Sequence, residues 1–508
     1  MNNDVEMKKI DYNRYIILLI IAAALLRFFL AFIVHPSGDG AWIAVATRFI
    51  AQNHRLPLFE LVGRPEPFWH APLFHIISAF FYILFGDIGI KLTSPLFGSL
   101  SLILTFLIAK KLFNEKIAFY ATLFLAFIPI HIYQSSIPLT DSITTFFALL
   151  SIFLVMENRY FFSAISTGLL LLAKQTGIFL IPLLIFLIYI KIKDKKIFLA
   201  KTFLFLLIAV LVCSPWYMRQ AVNLGNPVYP YLNNFFKGYT KEGIFPLQSI
   251  NPANLLNVKY IVSSGYLDSF GVPNGDIRTL SFLSLPFLNL LLFLWLVVTL
   301  IFSLPVIIGI TRFHIKKNQS KILVFWIIPY LVFITVLLMH FPMMNARYIL
   351  PIFPALGMIW AHGVIKLEQK VPKKIILSFI LLFIITFAAS ETIKTITATN
   401  AWKFYQKDFD WINANIPNNA TVFMYWKGQT LAYNIKQKVD FVGIGEWSLS
   451  NLSAGSYIFV NQDFKLDPLV FPENEYDYIK NNPDFEIIYS NTKTSTQVYL
   501  VNPLLKNS

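Results

Sequence analysis

Residues 15–34 read YIILLIIAAALLRFFLAFIV, and residues 35–42 continue HPSGDGAW. At about 1.5 Å per residue, such a run as a helix spans a hydrocarbon core of about 30 Å. It follows Lys8, Lys9 and Arg14, and no small-residue cleavage site comes after it. It therefore reads as a retained anchor with its N-terminus in the cytoplasm rather than as a signal peptide. The first carboxylate beyond it, Asp39, then lies just outside the opposite face of the bilayer.

The rest of the chain has the same character. Of its 508 residues, 56% are hydrophobic and 14% charged, whereas soluble proteins are about 25% charged. Disorder, collagen and a water-soluble enzyme are excluded. The single cysteine, Cys213, excludes a disulfide scaffold and a thiolate metal cluster within one chain. The formal charge is 42 − 27 = +15. Residues 392–508 hold ten Lys, no Arg and eleven acidic residues, so the whole excess lies in 1–391, between apolar runs. That segregation is the positive-inside bias of a membrane protein. A nucleic-acid reader would carry a basic face on a polar domain, so no nucleic-acid partner is expected.

Ten further apolar runs lie near 92–110, 117–134, 138–156, 160–174, 177–190, 198–217, 282–310, 321–340, 346–365 and 375–391. With the first run counted, the connectors Lys110/Lys111/Lys116, Lys191/Lys193/Lys195/Lys196/Lys201, Arg312/Lys316/Lys317/Lys321 and Lys366/Lys370/Lys373/Lys374 all fall on the cytoplasmic side. The short run 72–85 reads as a partly buried helix; counting it and its like gives 12–13 spans. The expected fold is an all-α polytopic membrane protein of about 11 transmembrane helices, with external amphipathic loop helices and a small α/β C-terminal extracytoplasmic domain. The transmembrane domain is 1–391, with external loops 35–71 and 218–281. The tail, 392–508, shows strand-like runs at 421–426, 456–460, 485–489 and 497–501 between Asn, Pro and Gly turns, and a helix over 408–415. The cell membrane is the expected location.

Ionisable groups at membrane depth are costly and tend to face cavities. Asp39 precedes an amphipathic stretch, 41–53, with Trp42, Val45, Phe49 and Ile50 on one side. It can take a proton from a hydroxyl, bind a cation, or simply cap the helix. His70 and His75 lie in PFWHAPLFH (67–75), suited to a metal or a phosphate oxygen, or to plain hydrogen bonding. Glu66 is a neighbouring carboxylate with a similar solvated reading. Asp141 in IPLTDS (137–142) and Lys174 in LLLAKQTG (170–177) stand at span ends on the Asp39 side. A lysine there also commonly snorkels. Arg347 and Tyr348 in NARYILPIFP (345–354) open another span at that side; a guanidinium fork suits phosphate, and an aromatic belt explains the pair equally. Arg27 sits within the first span with no evident partner; Lys91 and His340 are further charged or titratable residues beside the runs 92–110 and 321–340.

Taken in order, these motifs, with PWYMRQAVNLGNPVYP (215–230), resemble those of the C-type membrane glycosyltransferases, in particular the protein O-mannosyltransferase and lipid A aminoarabinose transferase group, across residues 12–365. The resemblance implies a multi-pass fold whose outer loops cover a cavity, a sugar donor on polyprenyl or dolichyl phosphate, and inversion at the anomeric carbon. It implies Asp39 as catalytic base, and substrate-binding roles for His70, Asp141, Lys174, Arg347 and Tyr348. A divalent metal on Asp39 and His70 is a further expectation. The chain departs from the group where many members have Asp-Glu and it has Asp39-Gly40. Ala71 replaces the first of two prolines, and Trp69 stands where some relatives carry an acid.

The expected activity is transfer of a single sugar to a hydroxyl of a lipid, glycan or protein on the external face. The competing readings are a transporter or flippase for a lipid-linked or polar solute, and a binding subunit without catalysis.

Overall fold

The computed structural model describes residues 12–62, 67–239, 269–270, 285–311, 317–340, 345–425, 429–442, 449, 452–461 and 473–502. The chain is a multi-pass membrane protein. Among the described residues, seven helices are long and apolar enough to cross a bilayer: 14–33, 87–112, 195–224, 293–310, 318–337, 346–368 and 373–415, the last two continuing through short 3-10 and turn segments. They account for seven of the eleven apolar runs. The other four runs form shorter helices, Glu115–Phe127 with Pro129–Gln134, Asp141–Met156, Tyr160–Ala173, and Gln175–Lys191. The helix Leu73–Phe85 buries Phe74, His75, Ser78 and Ala79 and exposes its other side, as a partly buried helix should.

The short helices owe their place to burial. Glu115–Phe127 is enclosed along nearly its whole length. Bilayer hydrocarbon offers no hydrophobic gain for helix association, so close van der Waals contact has to supply it. Gly363 shows how: a Cβ there would lie 1.8 Å from the Pro305 carbonyl oxygen. Helices Leu285–Ile310 and Phe353–Glu368 therefore pack backbone to backbone, and Trp360 Nε1 donates to Phe302 O at 2.9 Å.

Arg27 is fully buried in the first span, Tyr12–Ile33. Pro129 cannot donate to Leu125 O, so the helix Glu115–Phe127 breaks at Ile128 and leaves carbonyls open. The Arg27 guanidinium fills them, donating to Ala126 O at 2.8 Å and Leu125 O at 3.4 Å, with further bonds to Ala23 O and His131 Nδ1. A cation on a helix C-terminus is also the favourable sign. Arg27→Met should leave both carbonyls unpaired, at roughly 1–3 kcal/mol each. The melting midpoint in detergent is expected to fall by several degrees; an unchanged midpoint would contradict this account.

The two ends of the bundle differ. On helix Asp87–Leu112, Asp87 is held by Arg48 Nε and Nη2 at 2.8 and 2.7 Å, and Lys91 Nζ donates to Val34 O at 2.6 Å. About 35 Å from Asp87 along this 26-residue helix, Lys110 pairs with Glu115 at 2.8 Å, and Lys111 pairs with Glu157. Lys116 joins Glu368, and Lys366 reaches Thr311 Oγ1. The described basic connectors thus gather at one end. Arg312 and Lys316 lie outside the described residues, as does the side chain of His340.

The C-terminal sheet sits at the other end. Its order is β2-β1-β3-β5-β4, from β1 (Thr421–Tyr425), β2 (Lys438–Val442), β3 (Tyr457–Asn461), β4 (Phe485–Asn491) and β5 (Thr496–Val501). β1 pairs in parallel with β2 and β3, while β5 runs antiparallel to β3 and β4. The helix Lys373–Phe404 carries the chain into it without a break. Asp408, buried at the start of helix Gln406–Asn415, accepts from Tyr489 Oη and Asn491 Nδ2, tying that helix to β4. The unit grips the loop after the first span. His35 bonds Asn434 through its ring and Thr399 through its backbone, and Gly38 N donates to Thr430 Oγ1 at 3.2 Å. Arg48 donates to Tyr433 O, and Val62 bridges Val439 on β2.

Candidate functional site

The helix Gly38–Asn53 begins where Gly38 takes φ +50°, a left-handed turn that glycine enters without strain. Ser37 occupies the cap position, so Asp39 falls inside the first turn and does not cap. The inward face differs from the amphipathic expectation: Ile43, Ala44, Thr47, Ile50 and Ala51 are buried, and Trp42, Val45 and Phe49 only partly so. Small residues let this helix lie close against Leu73–Phe85. Gly40 faces Pro138, 3.6 Å from where a Cβ would stand.

Asp39 Oδ2 meets Arg347 Nη1 at 2.6 Å. Arg347 is set by a 3-10 turn, Ala346–Ile352, that Asn345 opens by accepting from the Arg347 backbone N–H and that Trp326 Nε1 anchors at Pro351 O. Prolines at 351 and 354 withhold donors from a regular helical ladder there, which favours the tighter turn. The Asp39 side chain keeps 49% of its surface accessible. Arg347 beside it holds the Asp39 carboxyl below the usual carboxylate range, against the upward push of desolvation, with smaller help from Lys174.

A second ion pair stands next to the first. Asp141 opens helix Asp141–Met156, where a negative charge suits the helix dipole, and its side chain is 3% exposed. Lys174 ends helix Tyr160–Ala173 and reaches Asp141 Oδ1 at 2.5 Å. Tyr348 joins the pairs: Lys174 Nζ lies 4.8 Å and Arg347 Cζ 5.5 Å from its ring centroid. Arg347 in turn feels Asp141, and Asp39 feels Lys174. Asp39, Asp141, Lys174, Arg347 and Tyr348, spread over three hundred residues of sequence, thus form one cluster.

His70 reaches the same neighbourhood, with Nδ1 3.2 Å from Glu60 Oε1. His75 lies buried behind it, edge-on to Phe68. Glu66 lies outside the described residues. Among the described residues no group of three or more His, Cys, Asp or Glu side chains is placed to hold a metal ion. Asp39 lies on Arg347, and His70 Nδ1 lies on Glu60.

Sequence reasoning missed Glu60, Trp42 and Tyr231. Glu60 is a lone acid inside LPLFELV (56–62), and a charge so flanked by apolar residues was a usable signal. Tyr231 lies near Tyr348 and Arg347, and burial pushes its phenol up.

This architecture has counterparts among solved structures. ArnT from Cupriavidus metallidurans in the apo state superposes with a TM-score of 0.66 at 13% identity, covering 97% of this chain and 98% of that one. The same protein bound to undecaprenyl phosphate gives 0.62 at 12% identity, with 96% and 97% covered. The fold is that of the C-type membrane glycosyltransferases. An oligosaccharyltransferase from Archaeoglobus fulgidus is similar at TM-score 0.53 and 12% identity, over 88% of this chain and 69% of its own. Residues 69–218 match the family model described as dolichyl-phosphate-mannose-protein mannosyltransferase. That segment of the C-type fold contains His70, Asp141 and Lys174. No curated protein sequence matches the chain.

Proposed function

We propose that this protein is a membrane glycosyltransferase that moves one sugar from a polyprenyl- or dolichyl-phosphate carrier to a hydroxyl of a lipid, glycan or protein. The reaction takes place at the membrane face opposite the basic connectors, the extracytoplasmic side, where the C-terminal unit also lies. One observation carries the reading: a half-accessible carboxylate is paired with one guanidinium and lies within electrostatic reach of an ammonium. The ArnT structure with undecaprenyl phosphate and the name of the matching family model support a lipid-phosphate donor.

The residues divide the work as follows. Arg347, Lys174 and the Tyr348 hydroxyl receive the lipid phosphate, and Asp141 keeps Lys174 in place. The acceptor oxygen bonds to the anomeric carbon from the far side, inverting it. The C–O bond to phosphate breaks with its electron pair on the phosphate oxygen. Asp39 takes the acceptor's proton. The cations stabilise charge that grows on the leaving phosphate in a water-poor site.

The Asp39–Arg347 pair couples these events. With Arg347 on it, Asp39 is a weak base. A phosphate that draws Arg347 away restores the proton affinity of Asp39 only once a donor is seated.

The test is purified protein in liposomes with polyprenyl-phosphate-linked sugars and a mixed acceptor extract. The expected result is a glycosylated product with equimolar release of polyprenyl phosphate. Solute uptake or lipid translocation without product would instead identify a transporter.

A further inference from the structure

Glu60 is a carboxylate with no path to substrate. Its side chain is 1% exposed, and both oxygens are occupied: Oε2 accepts from Trp42 Nε1 at 2.8 Å, and Oε1 from His70 Nδ1 at 3.2 Å. The loop is folded to bring it there, since Phe68 N donates to Leu58 O and Phe59 bridges Pro67. The His70 ring is fixed on other sides too. Trp69 stacks on it at 4.2 Å and 22°, and Trp42 meets it edge-on at 5.1 Å. An ionised carboxylate only accepts, so the Nδ1 hydrogen is directed to Glu60 and Nε2 is the ring nitrogen left over. His70 keeps 20% of its side chain accessible and lies within electrostatic range of Asp39.

We propose that Glu60 is a positioning residue: it holds His70 with its proton on Nδ1, so that Nε2 accepts a hydrogen bond from a second hydroxyl of the acceptor molecule, next to the one whose proton Asp39 takes. The inference rests on the transfer reaction proposed above and extends it by assigning the acceptor's anchor.

Glu60→Gln keeps the shape but presents an amide N–H to one of two N–H donors, so the His70 ring has to turn or change tautomer. With the charge-assisted bond lost, kcat/KM for acceptor should fall about 10- to 100-fold, with donor KM unchanged. His70→Gln should give a similar loss, and the double variant no more than His70→Gln alone. A purely structural role for Glu60 predicts instead that its loss repeats in full in the His70→Gln background, and that result would overturn the proposal. So would a change confined to donor KM. The 15N spectrum of histidine-labelled protein, with the His70 signals assigned by their absence in His70→Gln, gives a readout independent of turnover. A protonated Nδ1 and bare Nε2 are expected, altered in Glu60→Gln; a protonated Nε2 with bare Nδ1 in the native protein would contradict it. Wild-type protein that transfers sugar while these variants behave additively sinks the Glu60 assignment alone. Wild-type protein that transfers none sinks the reaction itself.

Discussion

Asp39→Asn is expected to lower the rate of sugar transfer by about 10²- to 10⁴-fold, the range for losing a positioned general base, without reducing expression or the melting midpoint. Stability should survive because Asp39 does not cap its helix and its carboxylate is half accessible. The variant also carries a signature that general damage does not produce. Arg347 loses the partner that competes with phosphate, so affinity for polyprenyl phosphate should stay level or rise while turnover collapses. Single-turnover transfer and lipid-phosphate binding on the same preparation measure both. Loss of binding in step with turnover would remove Asp39 as the base and make it a structural anchor for Arg347.

Arg347→Met acts on the other half of the pair. Removing a preorganised donor from a developing charge costs about 10²- to 10³-fold in turnover, and here the loss should fall on donor use rather than acceptor use. The pH profile adds a directional test. Arg347 holds the Asp39 carboxyl below its ordinary range, so in the native protein Asp39 stays ionised, and kcat/KM persists, to unusually low pH. Without the guanidinium, desolvation is no longer opposed by its largest counterweight, and the carboxyl pKa rises. The acid limb of kcat/KM, which reports the free enzyme, should therefore move to higher pH in Arg347→Met. An acid limb that stays put would show that some other group titrates there.

How much of this was readable in advance depends on the range of the interaction. Long apolar runs and basic connectors carry their meaning locally, and they correctly indicated a polytopic helical protein with a small mixed sheet at its end. Span lengths were less legible. Runs 138–156 and 160–174 look like crossings by composition, but their helices are short because neighbours enclose them, a tertiary fact. The strand Lys438–Val442 was missed because KVDFV is short and carries two charges, yet Lys438 and Asp440 pair with each other along it. The helix Glu473–Asn481 was missed for its polarity. Among site residues, Asp39, Asp141, Lys174, Arg347 and Tyr348 stood out as charges or aromatics at span ends. Which of them pair is written nowhere in the local sequence, because each pair joins distant segments. Arg27 had no visible partner for the same reason: its partners are backbone carbonyls exposed by a proline a hundred residues later.

The most direct test of convergence is a cryo-EM map of the protein bound to polyprenyl phosphate. The account predicts phosphorus density in contact with Arg347, Lys174 and the Tyr348 hydroxyl, with the Arg347 guanidinium turned off Asp39 and the Asp39 carboxylate left free for the acceptor. Phosphate density at the basic-connector end, or a phosphate beside Lys174 with the Asp39–Arg347 pair still closed at 2.6 Å, would contradict it.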